Sequence, residues 1–470
     1  MPDSEKYEMV VLGSGEAGKY LAWTMAKTGH RTALIERGEL GGACPNFACL
    51  PSKNMIYSAR VASLARRGPE FGVSADSLHI DMTVVQRRKR QMVVGLHQMH
   101  VDRTRASGAE LIFGEGRFTA SATIEVALKA GGARSITGER IFLALGSRAS
   151  LPNVPGLLEA HPMTHVEALD LERLPEHLIV IGGGYVGLEL AHALRRLGAR
   201  VTVIEEGPQL ASHEDADVGE ALLNLFHDEG IEVLLRASLR QVEGHSGEKV
   251  RVQAKTEDGV RVLEGTDLLV ATGRKPNTEG IGLERVGVEI DRRGYIRVNS
   301  RLETTAPNVW AMGDCAGSPH FTHVSYDDFR TVYANLTGGN RTTTNRLVPF
   351  CMFTDPELAR VGRNEIEARQ DGVEYRVAKL DMTAVLRTRT VSEARGFMKV
   401  LVGKNSDEIL GFTAFGFDAS EPMAVVQTAM IGRIPYTALR DAIFTHPTMS
   451  EGLITLFTSI GPRRKLSQPG

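Results

Sequence analysis

The sequence predicts an α/β protein: two doubly wound units, each with a parallel sheet, followed by an α+β unit. Three observations carry this expectation. A strand–glycine turn–helix–strand–acid pattern at Met9–Arg37 comes back at Leu178–Glu205. Two strand-to-turn segments, IFLALGSRASLPNVPG (141–156) and LLVATGRKPNT (268–278), repeat one theme of an apolar strand, a small-residue turn and a proline. From about Val348, segments such as GFMKVLVG and EILGFTAFG, followed by the helical AVVQTAMIGRI, change the patterning to that of an antiparallel sheet with helices. At 470 residues the chain is too long for one hydrophobic core, so about two to four packed units are expected.

The first pattern is MVVLGSGEAGKYLAWTMAKTGHRTALIER. An apolar strand enters Gly13-x-Gly15-x-x-Gly18, an amphipathic helix follows, and a second strand ends at Glu36. The second copy has Gly182, Gly184, Gly187 and Glu205. The acid lies 23 residues after the first glycine in both copies (36 − 13 and 205 − 182). Such glycines let the turn tighten and let backbone approach a pyrophosphate, which sits on the N-terminus of the helix; the acid accepts hydrogen bonds from a ribose. One glycine fingerprint is compatible with an ordinary βαβ unit. Two complete copies at identical spacing are not, so the chain is expected to bind two dinucleotides on Rossmann-like units.

Composition excludes other classes. The formal charge of −2 makes no electrostatic case for nucleic acid or an anionic membrane. The basic run Arg87–Arg90 (RRKR) reads instead as a solvated helix face. His97 and His100 share a helical face, yet no third metal ligand lies nearby, so they read as surface or packing residues. No apolar run reaches the roughly 20 residues of a membrane span, and MPDSEKYEMVVLGSG lacks the character of a signal peptide. The four cysteines do not suggest a secreted disulfide scaffold, and a cytoplasmic protein is expected. The terminal RRKLSQPG reads as a frayed tail.

Chemistry concentrates in GGACPNFACLPSK (41–53). Five residues along a regular helix separate Cα atoms by roughly 8–9 Å, whereas a disulfide requires about 4.4–6.8 Å. A bond between Cys44 and Cys49 therefore needs distorted backbone, and Pro45 is placed to break the helix. A helix beginning nearby favours thiolate over thiol. Redox use is the favoured reading; metal or structural use is the alternative, although two thiolates alone make an incomplete zinc site.

These motifs, in this order, resemble the pyridine nucleotide–disulfide oxidoreductases, the family of dihydrolipoamide dehydrogenase, glutathione reductase and mercuric reductase. The likeness spans nearly the whole chain, from the first fingerprint through CxxxxC-x-PSK, the second fingerprint, ATGRKPN and VWAMGDCAG to THPTMSE. It implies an FAD domain (1–150 with 276–347), an NAD(P)H domain (151–275) and a C-terminal dimerisation domain (348–470). By resemblance, Gly13, Gly15, Gly18, Glu36, Gly42, Lys53, Gly146 and Asp314 hold FAD, with Lys53 near the reactive flavin nitrogen and paired with Glu189. Gly182, Gly184, Gly187, Glu205 and Gly273 hold NADH, and Tyr185 covers the flavin until a nicotinamide displaces it. Cys49 faces the flavin, Cys44 exchanges with substrate, and His446 with Glu451 manages protons in the partner's site of an obligate homodimer.

NADH is expected over NADPH, because Glu205 and Glu206 stand where a 2′-phosphate would fall. The expected reaction is electron transfer from NADH through FAD and the cysteine pair to a small disulfide, or the reverse with a dihydrolipoamide-like dithiol. Two alternatives accompany it: reduction of a thiol-bound metal ion such as Hg²⁺ or Cu²⁺, and redox sensing with little turnover. PFCMFTDPELARVG and FTHPTMSEGL lean toward mercuric reductase and its relatives, some of which act on copper. Against metal delivery stand a tail without vicinal cysteines and His446, where mercuric reductases carry a tyrosine. Pro45 and Ala48 also depart from the usual family residues, and Cys315 and Cys351 read as small buried residues.

Overall fold

The computed structural model describes residues 4–462. In the first unit, β1 (Glu5–Leu12), α1 (Glu16–Lys27) and β2 (Thr32–Glu36) make a parallel βαβ turn. Next come α2 (Ala43–Phe47), α3 (Cys49–Arg66), the long α4 (Met82–Ser107), β3 (Glu110–Ala120), β4 (Thr123–Leu128) and β5 (Ala133–Leu143). Parallel pairing runs β3–β2–β1–β5, and β4 bridges β3 and β5 as an antiparallel meander. Val10, Val11, Leu34 and Phe142 are fully buried. Strands covered on both faces read as unbroken apolar runs, which explains MVVL and TALI.

The second unit repeats the plan with β6 (His177–Ile181), α5 (Tyr185–Leu197), β7 (Arg200–Ile204), α6 (Ala216–Asp228) and β8 (Glu232–Leu234). A three-stranded antiparallel sheet follows: β9 (Ser238–His245), β10 (Lys249–Thr256) and β11 (Gly259–Gly265). The strand β12 (Asp267–Val270) then returns beside β6, giving the parallel order β12-β6-β7-β8. Ser147–Ala149 and Arg274–Pro276, one from each repeated strand-to-turn segment, pair as an antiparallel ribbon. Beyond it, β13 (Val309–Ala311) joins the first sheet against β5, and α7 (Thr322–Leu336) packs on α1.

The last unit is an antiparallel sheet of β14 (Phe350–Met352), β15 (Glu357–Gly362), β16 (Tyr375–Asp381), β17 (Phe397–Gly403) and β18 (Ile409–Gly416), in the order β14-β15-β18-β17-β16. Helices α8 (Ser420–Ile431), α9 (Tyr436–Arg440) and α10 (Gly452–Thr458) complete it. The tail RRKLSQPG, expected to fray, lies outside the described residues. Among the described residues no helix is long and apolar enough to cross a membrane.

Two local expectations are corrected. The basic run is a solvated face at Arg87, Arg88 and Arg90, which are exposed, and departs from one only at Lys89. Lys89 is buried and donates to the carbonyl of Leu169 at 2.8 Å and to Asp170, while Arg90 pairs with Glu172. Arg88 donates to the carbonyl of Asn54 at 2.8 Å. Long basic side chains reach across gaps that short ones cannot, so this run fastens α4 to α3 and to the segment before β6. Pro45 does not break the helix either. It sits in the first turn of α2, where its missing N–H has no intrahelical partner to lose. The break falls at Ala48 (φ −134°, ψ −104°), which ends α2 and starts α3. His100 is a packing residue, stacked on Trp23 with ring centroids 5.9 Å apart.

Candidate active site

Both glycine turns have the same construction. The first glycine needs a left-handed backbone (φ +93° at Gly13, +106° at Gly182), and a Cβ there would meet the carbonyl of Ala144 or Ala271 at 2.2 and 2.6 Å. The third glycine packs on the first: a Cβ on Gly18 or Gly187 would lie 2.1 or 2.3 Å from the carbonyl of Gly13 or Gly182. The middle glycine faces open space, with no atom closer than 3.7 Å to a Cβ on Gly15 and none within 4 Å at Gly184. Each acid organises its turn. Glu36 accepts the amide of Ser14 at 2.8 Å and that of Gly38 at 2.7 Å; Glu205 accepts those of Gly183 at 2.5 Å and Gly207 at 2.6 Å.

In the first unit these residues open onto a deep cleft. Gly13, Gly15, Glu36, Gly42, Gly146 and Asp314 line it together with Cys44 and Cys49. Gly18 does not; it lies beneath, holding α1 against the turn, so its contribution is packing rather than contact. The N-cap of α1, Gly15, offers no side-chain bond to the helix amides, which leaves the first turn open to an anion. Asp314 accepts the Ser147 hydroxyl at 2.5 Å and lies 3.2 Å from Arg274, whose buried Nε has no hydrogen-bond partner. An open helix end, a ribose-seeking acid and unspent polar groups along one cleft fit a flavin dinucleotide, extended from Glu36 to the cysteines.

The cysteines stand on either side of the Ala48 break, Cys44 in α2 and Cys49 as the first residue of the 18-residue α3. Both are free thiols, and they are hydrogen-bonded to each other. That bond from Cys44 is the largest influence on Cys49, holding its thiol down at about 6 against the opposing cost of burial; Thr322 and Lys53 also lower it. The Thr322 hydroxyl sits 3.3 Å from the Cys49 sulfur. The same thiol–thiol bond, reinforced by burial, pushes Cys44 far up. Of the two thiols, Cys49 is therefore the one that ionises more readily.

One turn along α3, Lys53 Nζ lies 2.7 Å from Glu189 Oε2 on α5, and Glu189 Oε1 accepts the amide of Phe353 at 2.8 Å. Tyr185 is not in the cleft wall. Its hydroxyl donates to Glu214 at 2.6 Å, and its ring stacks on Phe350 at 5.4 Å. Phe350 stacks in turn on Phe321, which does line the cleft. Gly273 lies beside the ribbon, where its carbonyl accepts the amide of Ser150 at 2.9 Å.

His446 Nδ1 lies 2.9 and 3.0 Å from the two oxygens of Glu451, so the carboxylate orients the ring. This pair does not line the cleft of its own chain, and the imidazole is exposed. Of the other cysteines, Cys315 is fully buried, whereas Cys351 is only partly so. Sequence reasoning missed Thr322, Arg274 and Glu214. Arg274 stands in the quoted stretch ATGRKPN and Thr322 in FTHV, outside every motif, and nothing local marks a hydroxyl or guanidinium as facing a cleft.

Two sequence profiles match this chain: pyridine nucleotide-disulphide oxidoreductase over residues 7–328, and the dimerisation domain of the same family over 348–457. The probable pyridine nucleotide-disulfide oxidoreductase RclA of Escherichia coli (strain K12) is 34% identical over 461 residues, covering 97% of this chain and 99% of RclA. Mercuric reductase of Acidithiobacillus ferrooxidans is 35% identical over 454 residues, covering 96% and 82%. The solved Cu(II) complex of the HOCl-induced flavoprotein disulfide reductase RclA from Escherichia coli superposes with a TM-score of 0.88 at 33% identity, over 97% and 99% of the two chains.

Proposed function

This chain belongs to the pyridine nucleotide-disulphide oxidoreductases, a family of FAD-dependent enzymes that draw electrons from a pyridine nucleotide, and on that premise we propose that it is an NADH-dependent disulfide reductase working through Cys44 and Cys49. The observation that carries this reading is the cleft itself, which brings the free thiols of Cys44 and Cys49 together with Gly15, Glu36 and Asp314, with the Thr322 hydroxyl 3.3 Å from the Cys49 sulfur. Glu36, Gly15, Gly42 and Asp314 would hold FAD, and Gly184 with Glu205 would hold NADH. A bound flavin supplies hydride acceptance from nicotinamide and electron-pair delivery to the Cys44–Cys49 disulfide.

The remaining steps belong to side chains. Reduction leaves Cys49 as the thiolate, stabilised by Thr322, Lys53 and the start of α3. Cys44 then has to lose its proton before it can attack, and His446 of the second subunit, oriented by Glu451, is the group to take it. The Cys44 thiolate bonds to one sulfur of the substrate disulfide; the other sulfur leaves and takes the proton back. Cys49 next attacks the Cys44 sulfur, which restores the internal disulfide and expels the second substrate sulfur as a thiolate, and a proton from solvent makes it the second thiol. In a homodimer, which the dimerisation domain supports, each histidine would stand beside its partner's cysteines, and a cytoplasmic setting belongs to the same reading.

A second reading, reduction of a metal ion, is favoured by the relatives: several are mercuric reductases, and RclA has been solved with Cu(II). Two thiolates suit such soft ions. His446→Ala separates the two readings. Disulfide turnover should fall by about 10²–10⁴, the worth of a positioned acid–base group, while NADH oxidation driven by Cu²⁺ or Hg²⁺ should barely change. Brisk wild-type turnover of metal ions, with none on a panel of disulfides, would establish the metal reading instead.

A further inference from the structure

Besides the cysteines, the wall of the flavin cleft carries a histidine, His320. It stands in the segment after the Gly313–Asp314 turn, which brings Asp314, His320 and Thr322 into the same wall. Both ends of that segment are fixed by contacts described above: Asp314 accepts the Ser147 hydroxyl at 2.5 Å, and Thr322 lies 3.3 Å from the Cys49 sulfur. The half-buried ring of His320 is close enough to Asp314 and Arg274, both in the cleft wall, for their charges to act on it. The histidine thus belongs to the stretch of cleft between the ribose-seeking acid and the cysteine.

The ring is held in place from behind. Tyr295 is buried, its hydroxyl lies 3.3 Å from His320 Nε2, and the two ring centroids are 5.8 Å apart. Tyr295 is fixed in turn by Asp291, whose carboxylate accepts its amide at 2.9 Å and whose own amide donates to its carbonyl at 2.8 Å. The other imidazole nitrogen, Nδ1, has no hydrogen-bond partner among the described residues. Burial holds the imidazole below its usual range; Asp314 opposes this, while Arg274 and Arg293 add to it. At neutral pH the ring is therefore uncharged, with one N–H and one lone pair. With the Tyr295 hydroxyl donating to Nε2, the proton resides on Nδ1, the nitrogen left for a ligand.

We propose that His320 is a binding residue for FAD: its Nδ1–H, oriented through Nε2 by Tyr295, donates to an oxygen of the ribityl–flavin half of the cofactor. The proposal rests on the reading above, in which FAD fills this cleft. A cofactor extended from Glu36 to the cysteines has to pass His320. A neutral donor suits that stretch, because ribityl hydroxyls and flavin carbonyls are uncharged acceptors, whereas the pyrophosphate is served by the open end of α1. Tyr295 acts only through the imidazole and is a positioning residue.

The test follows loss of flavin from the FAD-loaded enzyme after dilution at neutral pH, through the fluorescence of free FAD. His320→Phe keeps a ring and removes both nitrogens, so release should speed about fivefold, the worth of one neutral hydrogen bond expressed in the dissociation rate. His320→Asn places an amide N–H near the position of Nδ1 and should restore slow release. Tyr295→Phe leaves the imidazole without its tether and should speed release about twofold, the low end of the same range. Thiol alkylation against pH should give one Cys49 titration in all three variants, which damage to the cleft wall would displace. Unchanged release in His320→Phe or Tyr295→Phe, fast release in His320→Asn, or a displaced Cys49 titration overturns the proposal while leaving the FAD reading intact. A wild-type protein that holds no FAD overturns that reading, and the proposal with it.

Discussion

Lys53 Nζ on α3 meets Glu189 Oε2 on α5 at 2.7 Å, and the second oxygen of the same carboxylate takes the amide of Phe353. One side chain from the second unit thus ties the cysteine-bearing helix of the first to the sheet of the third. Glu189 is buried and Lys53 is about one-third exposed. The pair also acts on Cys49 in opposite directions, Lys53 lowering its thiol and Glu189 raising it.

Glu189→Gln should consequently do two things. Loss of the charge partner should destabilise the protein by about 1–3 kcal/mol, less than for a fully buried pair because water screens the exposed lysine. An unopposed Lys53 should favour the Cys49 thiolate still more, moving its titration to lower pH. Thermal unfolding and thiol alkylation against pH measure the two effects; a Cys49 titration displaced upward would refute the electrostatic account.

A thiolate at Cys49 beside an oxidised flavin should give a long-wavelength absorbance band after reduction by one equivalent of NADH. Because Cys49 is held at about 6, the band should be present above that pH and fade as pH falls through it. Removing the Thr322 hydroxyl with Thr322→Val should move the midpoint upward, since a bond to the charged form is lost. Cys49→Ala should abolish the band, while Cys44→Ala should retain it at pH 8. The opposite pattern in the two cysteine variants would reverse their roles.

Cofactor preference should follow Glu205. Its two oxygens already bind the amides of Gly183 and Gly207, which fixes the carboxylate at the end of β7. A 2′-hydroxyl can donate to such a group, whereas a 2′-phosphate is repelled. The kcat/KM ratio should favour NADH by at least about tenfold, equivalent to 1.4 kcal/mol. Parity with NADPH would show that another residue sets the choice.

His446 and Glu451 are paired in each chain but stand outside its own cleft. Mixing inactive Cys44→Ala and His446→Ala protomers under subunit exchange should therefore restore activity, because each mixed dimer contains one site with both residues intact. Exchange demonstrated by mass, with no recovered turnover, would confine the histidine to its own subunit or remove it from catalysis.

The fold class was legible because its signals are local. A left-handed glycine at position 13 or 182, a strand of unbroken apolar residues and an acid 23 residues on are all demands of a single βαβ unit, and each can be read within about thirty residues. The change to an antiparallel sheet after Val348 announced itself in the same way. Chain order determined where Cys44 and Cys49 stand, but not how a helix accommodates them: Pro45 looked like the breaker, and Ala48 is.

Only the tertiary structure decided what surrounds these groups. Thr322 reaches Cys49 across 273 residues, Glu189 reaches Lys53 across 136, and Lys89 turns from an expected surface charge into a buried strap to Leu169. Glu214, which holds Tyr185 from 29 residues away, carries no motif at all. Backbone geometry is a property of neighbouring residues and is written where they are. A thiol's acidity or a ring's position depends on whichever dipoles and charges packing brings within a few ångströms, and that proximity exists only once the units have closed on one another.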